Sequence, residues 1–269
     1  MEYAINISLF GCLGIVKAAE MISKAGFTCL DYIPPFDKED WLNQTKEALK
    51  IFEANGLRVH QIHAPSNHRY GEYDKTYKLY MDRCAESMSI LGAKYMVIHG
   101  DELDFFKSEY SPEAALEYNH NLYLPYVEDG KKNGYKAAFE NLFEFSGKRR
   151  FSCNADDLMN LINSFEKGSV ACCWDTGHAN ISFGGKAPEI MREFGSLIEC
   201  THFHDNTGAD SHQMPMTGAI DWKKTMDAFK DIGYNGVTSI EYNYARMPVD
   251  LIQDLFNITY KYANRLWTL

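Results

Sequence analysis

Short β-branched or apolar runs alternate with longer amphipathic stretches along the whole chain, the sequence form of repeated strand–helix units around a parallel sheet. Eight such runs can be read, at 4–8, 27–33, 57–63, 93–99, 135–141, 169–175, 197–203 and 236–242. Each is short and nearly continuous in its apolar character, as expected of strands covered on both faces. Between them the apolar period changes to three and four. Over 72–91, Tyr77, Tyr80, Met81, Cys84, Met88 and Leu91 form one stripe, which predicts a helix with a buried face and makes these aromatics core residues. Gly26, Gly56, Gly92 and Gly134 fall just before a run, where left-handed helix caps are expected. No Pro/Gly/Ser linker, low-complexity tract or charge block interrupts the alternation. Eight units without a break in 269 residues predict an α/β fold, a (β/α)8 TIM barrel spanning 1–269 as one domain.

Composition adds constraints. A hydrophobic content of 45% with 24% charged residues is that of an ordinary globular protein with a sizeable core. The 27 Lys plus Arg against 37 Asp plus Glu give a net charge of -10, which opposes non-specific attraction to nucleic acid and to anionic membranes. The seven cysteines form no CxxC pair and lie mostly in apolar runs, so they are expected to be reduced core residues. The first residues enter a strand-like run without a basic segment or an apolar stretch of membrane-spanning length, which favours the cytoplasm.

In a barrel of this type chemistry sits where the strands end. Read only at their last residues, the runs deliver His63, His99, Glu140-Asn141, Asp175, His202 and Glu241 to the same mouth. The sixth is the most telling: the apolar run 169–173 leads into Trp174-Asp175-Thr176-Gly177-His178-Ala179-Asn180, expected to finish in a loop with two metal-competent side chains at one strand end. The segment after the seventh strand adds Asp210 and His212 before Gly218 and Asp221-Trp222 open the next helix. Singly, a strand-end His is more often a packing residue with a hydrogen bond, and Glu241 could be a solvated terminus. Jointly, Glu140, Asp175 and Glu241 repel one another in one concave mouth unless protonated, separated or neutralised by a cation. A divalent metal is the economical solution. With His202 the donor set suits Mn²⁺, Mg²⁺ or Co²⁺, and further histidines tilt it toward Zn²⁺; the identity stays open.

These motifs, Val59-His60-Gln61-Ile62-His63-Ala64-Pro65, Val97-Ile98-His99-Gly100, Phe139-Glu140-Asn141-Leu142, Asp175-Thr176-Gly177-His178, His202-Phe203-His204-Asp205, Asp210-Ser211-His212 and Ser239-Ile240-Glu241, in that order and at successive strand ends, resemble the xylose isomerase-like TIM-barrel superfamily. That superfamily contains sugar isomerases and epimerases and endonuclease IV. The resemblance implies Glu140, Asp175, His202 and Glu241 as ligands of a central divalent metal, with His178 and His212 beside the substrate. It implies a metal-dependent isomerase or epimerase of a sugar, sugar phosphate or polyol derivative, in which Glu140 and Glu241 move a proton next to a carbonyl through an enediolate. Asp205 is expected either to orient the His202 imidazole from behind or to cap a helix or turn.

The same resemblance carries the alternatives. In endonuclease IV the positions matching His63, His99, Glu140, Asp175, His178, His202, Asp210, His212 and Glu241 bind three zinc ions, so a zinc-dependent phosphodiesterase acting on abasic DNA is the competing expectation. A metal-dependent lyase or dehydratase on a sugar derivative is the third. Against the nuclease, residues 205–221 contain no Lys or Arg, and Arg69, Lys107 and Arg149-Arg150 are the only basic loop residues placed near the mouth. Against a free ketohexose bound as in ketohexose 3-epimerases, Asn206-Thr207-Gly208-Ala209 lacks the Arg those enzymes carry after the seventh strand. The expected partner is a small carbohydrate, with no nucleic acid and no membrane; a homo-oligomer is compatible with the sequence.

Overall fold

The computed structural model describes residues 1–66, 75–100, 111–144, 151–243 and 247–269. Arg69, Lys107 and the Arg149-Arg150 pair, and the first residues of the helix expected from Glu72, lie outside them. Eight parallel strands form a barrel: β1 (Tyr3–Asn6), β2 (Cys29–Tyr32), β3 (Arg58–His63), β4 (Tyr95–Ile98), β5 (Lys136–Glu140), β6 (Val170–Asp175), β7 (Ile198–His202) and β8 (Thr238–Ile240). Seven expected runs contain their strand; the first overlaps β1, which begins at Tyr3 and gives way to a 3-10 helix at Ile7. Each strand hydrogen-bonds its sequence neighbours, and β1 also pairs with β8. The β7–β8 seam is closed by Phe203, just past β7, whose N–H donates to Ser239 O at 2.8 Å and whose carbonyl accepts from Glu241 N–H at 3.1 Å.

Among the described residues nine α-helices surround the strands: α1 (Ile15–Ala25), α2 (Trp41–Ala54), α3 (Lys75–Leu91), α4 (Pro112–Asn133), α5 (Ala155–Asn163), α6 (Thr176–Phe183), α7 (Ala187–Phe194), α8 (Trp222–Asp231) and α9 (Ile252–Leu266). None is long and apolar enough to cross a membrane. The α3 stripe packs as expected, with Tyr80 half-buried and the other five buried. Gly26, Gly56, Gly92 and Gly134 all have positive φ, between 63° and 107°, a conformation that a Cβ would strain.

Alternation along the strands splits the interior in two. Outward-facing residues such as Leu30, Ile62, Phe139 and Phe203 join the helices in the main core. Inward-facing ones are small and stack in layers: Ala4, Cys29 and Val237 in one, then Val97, Ala138, Ala171, Cys173 and Cys200 in the next. Small side chains suit a bore just wide enough to be filled. Six of the cysteines are buried and all seven are free, with Cys12 alone exposed. Two register shifts disturb the ladders. Leu30 pairs with Val59 but Asp31 with Gln61, leaving His60 as an extra residue in β3; Cys172 pairs with Ile198 but Cys173 with Cys200, leaving Glu199 extra in β7.

The stretch after β6 departs from expectation. Thr176–Phe183 is the helix α6, not a loop, because Asp175 serves as its N-cap, its Oδ1 accepting the His178 N–H at 2.7 Å.

Candidate active site

The strand ends bring all nine expected residues into one cluster centred on Glu140, at the last position of β5 and buried. Its Oε1 lies 3.1 Å from His202 Nδ1 and 3.2 Å from His178 Nδ1; its Oε2 lies 3.0 Å from His99 Nε2 and 3.5 Å from His63 Nε2. Glu241, directly after β8, places Oε2 at 3.2 Å from His202 Nδ1, and Asp175 Oδ2 stands 4.0 Å from the same nitrogen. In the segment between β7 and α8, Asp210 Oδ1 is 3.1 Å from His212 Nε2 and 3.7 Å from His178 Nε2. His212 has φ of +44°, a strained value for a β-carbon residue, held by Asn243 N–H donating to its carbonyl at 2.7 Å.

Electrostatics here is mutual. Burial would raise the Glu140 carboxyl, but His202, His99 and the hydrogen bonds from His178 and His202 outweigh it and hold the group well below the usual carboxylate range. Asp175 is opposed by burial in the same way and is drawn down to about 2 by His178 and His204. Burial would lower the histidines, yet the surrounding carboxylates push His178 and His212 up to about 9 and His202 well above its ordinary value. Protons on the imidazoles thus balance the carboxylates, and a cation would compete for the same places.

The donor chemistry fits such a cation. Among the described residues four sets have donor atoms within 4.8 Å of one another: Glu140, Asp175 and His178; Asp31, His202 and Glu241; His63, Glu140 and His202; and His178, His204, Asp210 and His212. Ligands about 2.0–2.2 Å from one ion lie roughly 3–3.6 Å apart, close to the His202–Glu140 and His202–Glu241 separations. Tautomers point the same way. His63 and His212 turn Nδ1 to a backbone carbonyl, of Ala64 (2.9 Å) and Glu241 (3.4 Å), which leaves Nε2 facing the cluster, whereas His178 Nδ1 lies between Asn141 O (3.0 Å) and Glu140 Oε1 (3.2 Å).

Asp205 does not orient His202. Asp205 Oδ2 accepts from Trp222 Nε1 at 2.7 Å and its Oδ1 from the N–H groups of Asn206 and Ile220. It ties the segment after β7 to α8. The reason is strand parity: His202 and His204 point inward, whereas Phe203 and Asp205 point to the helices, Phe203 stacking on Trp222 and Phe229. The alternative role, turn capping, is the one Asp205 fills.

Three residues given no role from the sequence complete the site. His204 Nε2 lies 3.0 Å from Asp175, and its ring stacks on His212 with centroids 3.9 Å apart. It shares inward parity with His202, a signal available in the motif. Asn141 extends the β5–β6 ladder with its side chain, accepting from Asp175 N–H at 2.7 Å and donating to Asp175 O at 2.9 Å. Asp31, inside β2 and fully buried, lies 3.0 Å from His202 Nε2 through its Oδ2. A carboxylate inside the apolar run Cys29–Tyr32 was the available signal.

A parallel eight-stranded barrel with an imidazole and carboxylate cluster at the C-terminal strand ends defines the class, and the sequence agrees with it. The chain belongs to the xylose isomerase-like TIM barrel family, whose model matches residues 19–262. An uncharacterised protein of Methanocaldococcus jannaschii is 29% identical over 154 residues, covering 56% of this chain and 51% of that protein, so the chain spans about half of that relative's length. Among solved structures, a D-psicose 3-epimerase determined in the presence of D-fructose superposes with a TM-score of 0.80 at 14% identity, covering 99% of both chains. An AP endonuclease, family 2, from Brucella melitensis superposes with a TM-score of 0.73 at 14% identity, covering 90% of this chain and 93% of that one. At such identities the structural likeness is one of fold. Sugar epimerases and a nuclease-type protein thus both share this architecture.

Proposed function

We propose that the protein is a divalent-metal-dependent isomerase or epimerase of a sugar or sugar derivative. The observation that carries this reading is the convergence of Glu140 and Glu241 oxygens on one nitrogen, His202 Nδ1, at 3.1 and 3.2 Å, from three different strand ends. Glu140, Asp175, His202 and Glu241 would hold the ion. When bound, it supplies the positive charge that acidifies a carbon-bound proton beside a carbonyl.

The chain's own groups do the rest. Glu241, with its side chain 14% exposed, is the more accessible carboxylate and takes the proton from carbon; Glu140, at the end of β5, returns one. Because Glu140 Oε2 is engaged by His99, that imidazole must yield when Glu140 acts. His178 and His212, at the rim with Asp210, donate hydrogen bonds to substrate oxygens as charge develops there. Asn206 is spent on internal bonds to Gly177 O, Asn180 and Gly208, and the stretch 206–209, where ketohexose 3-epimerases carry an Arg, has none. This favours a sugar bound without that cationic contact.

The test is a panel of ketoses, ketose phosphates and keto-glycosides incubated in heavy water with protein loaded with Mn²⁺, Co²⁺ or Zn²⁺. A changed isomer carrying solvent deuterium is expected, and Glu140→Gln and Glu241→Gln are expected to remove it while leaving the fold intact. No conversion of any panel member, or full activity in either variant, would overturn the reading.

A second reading has its own observation. Glu140 presents its second oxygen to both His63 and His99, and His178, His204, Asp210 and His212 form a separate donor set, an arrangement able to hold more than one ion and to perform phosphodiester hydrolysis. The net charge of -10 and the absence of Lys or Arg in 205–221 weigh against a duplex substrate. Nicking of an abasic duplex with a steep salt dependence would establish the nuclease and remove the sugar enzyme.

A further inference from the structure

His202 is wired differently from His63 and His212. Those two hold Nδ1 against backbone carbonyls and present Nε2 to the cluster, while His178 shares Nδ1 between Asn141 O and Glu140 Oε1. His202 is reversed: Nδ1 faces Glu140 and Glu241, and Nε2 is turned down the bore onto the Oδ2 of Asp31, 171 residues away in sequence, at 3.0 Å. A carboxylate is an acceptor, so the proton between them belongs to Nε2. The lone pair of the neutral ring then sits on Nδ1, directed at the two glutamates.

Asp31 is placed for this and little else. It is 0% exposed, no Lys or Arg among the described residues bonds to it, and its Oδ1 has no hydrogen-bond partner. Oδ2 takes longer bonds from Gln61 Nε2 at 3.3 Å and Ser239 Oγ at 3.4 Å, and Gln61 Nε2 also reaches Thr201 O at 3.4 Å. Burying a carboxylate with one unsatisfied oxygen is costly, and an apolar residue would fill the bore as the alanines and cysteines beneath it do. The cost is intelligible if the charge acts through the imidazole.

We propose that Asp31 is the positioning residue of His202, fixing its Nε2–H tautomer and ring orientation so that Nδ1 is ready to bind a divalent cation with Glu140 and Glu241. This rests on the metal-holding role given to those residues above. Asp31→Asn keeps the shape but removes the charge, and a rotated amide can donate to Nε2 and so favour the wrong tautomer.

The experiment is a direct titration of wild type and Asp31→Asn with Zn²⁺ and with Co²⁺, together with ¹⁵N spectra of histidine-labelled protein. Affinity is expected to fall roughly 10–100-fold in the variant, with the Co²⁺ absorption altered. In zinc-loaded wild type, His202 is expected to carry its proton on Nε2, a readout that needs no variant. Unchanged affinity in a folded Asp31→Asn, or a wild-type His202 protonated on Nδ1 alone, would overturn the proposal. If the affinity falls as expected while wild type converts no sugar, Asp31 keeps its role and the isomerase reading is the one that fails.

Discussion

The acid sensitivity of the fold should trace in large part to His60. This imidazole is the extra residue of β3, 4% exposed, with its ring 5.2 Å from that of Tyr95 and no hydrogen-bond partner for either nitrogen. Burial, reinforced by the nearby charges of Arg58 and Lys94 and only partly offset by Asp31 and Glu2, lowers its pKa from 6.5 to about 4. The folded state therefore binds this proton less readily than the unfolded chain. The sign follows: above pH 6.5 both states are neutral and nothing is lost, and as the pH falls from 6.5 toward 4 the unfolded state gains a proton the folded state refuses. Linkage puts the loss at about 2 kcal/mol by pH 5 and about 3 kcal/mol by pH 4. Leu has a similar volume and does not titrate, so His60→Leu should remove this component whatever it does to stability at neutral pH. Urea unfolding of wild type and His60→Leu at pH 7.5 and pH 5 measures it as a difference of differences, in which all other titrating groups cancel. The variant should gain about 2 kcal/mol relative to wild type on going to pH 5. Parallel pH profiles would refute the reasoning and mean that His60 finds a partner, such as an internal water, that stabilises its charged form.

A Cβ built on Gly177 would collide with the His204 ring, so Gly177→Ala must displace that ring from Asp175 and from its stack on His212. A destabilisation of about 1–3 kcal/mol is expected, read by urea unfolding, and a change under 0.5 kcal/mol would show that the approach is not tight. Trp222→Phe leaves Asp205 Oδ2 without its donor and should cost about 2–3 kcal/mol, whereas catalytic exchange, measured at saturating substrate, should survive if Asp205 serves the loop alone. Asp175→Ala and His202→Ala should lose most of the bound metal by elemental analysis while His60→Leu retains it; metal retained by both ligand variants would remove the proposed set.

Much of this architecture is written in the order of residues. Strands covered on both faces require short continuous apolar runs, helices an apolar stripe, and left-handed caps a glycine, so the βα alternation can be read locally. The strand ends are equally visible, because the last residue of a barrel strand leaves the packed bore for the mouth, and there His63, Glu140, Asp175, His202 and Glu241 interrupt apolar runs. What the sequence could not assign is which groups face each other. Asp205 is three residues from His202, yet it points to α8 because successive strand residues alternate faces. Asp31 and His202 are 171 residues apart and meet because the barrel closes β2 and β7 around one bore, with the shifts at His60 and Glu199 setting the heights of the inward rows. Asp175, read as a site residue followed by a loop, also starts a helix, since its side chain can accept the His178 N–H only once the backbone has turned. Local pattern determined the elements and the candidates at their ends; closure, register and parity, which are properties of the assembled barrel, decided their partners.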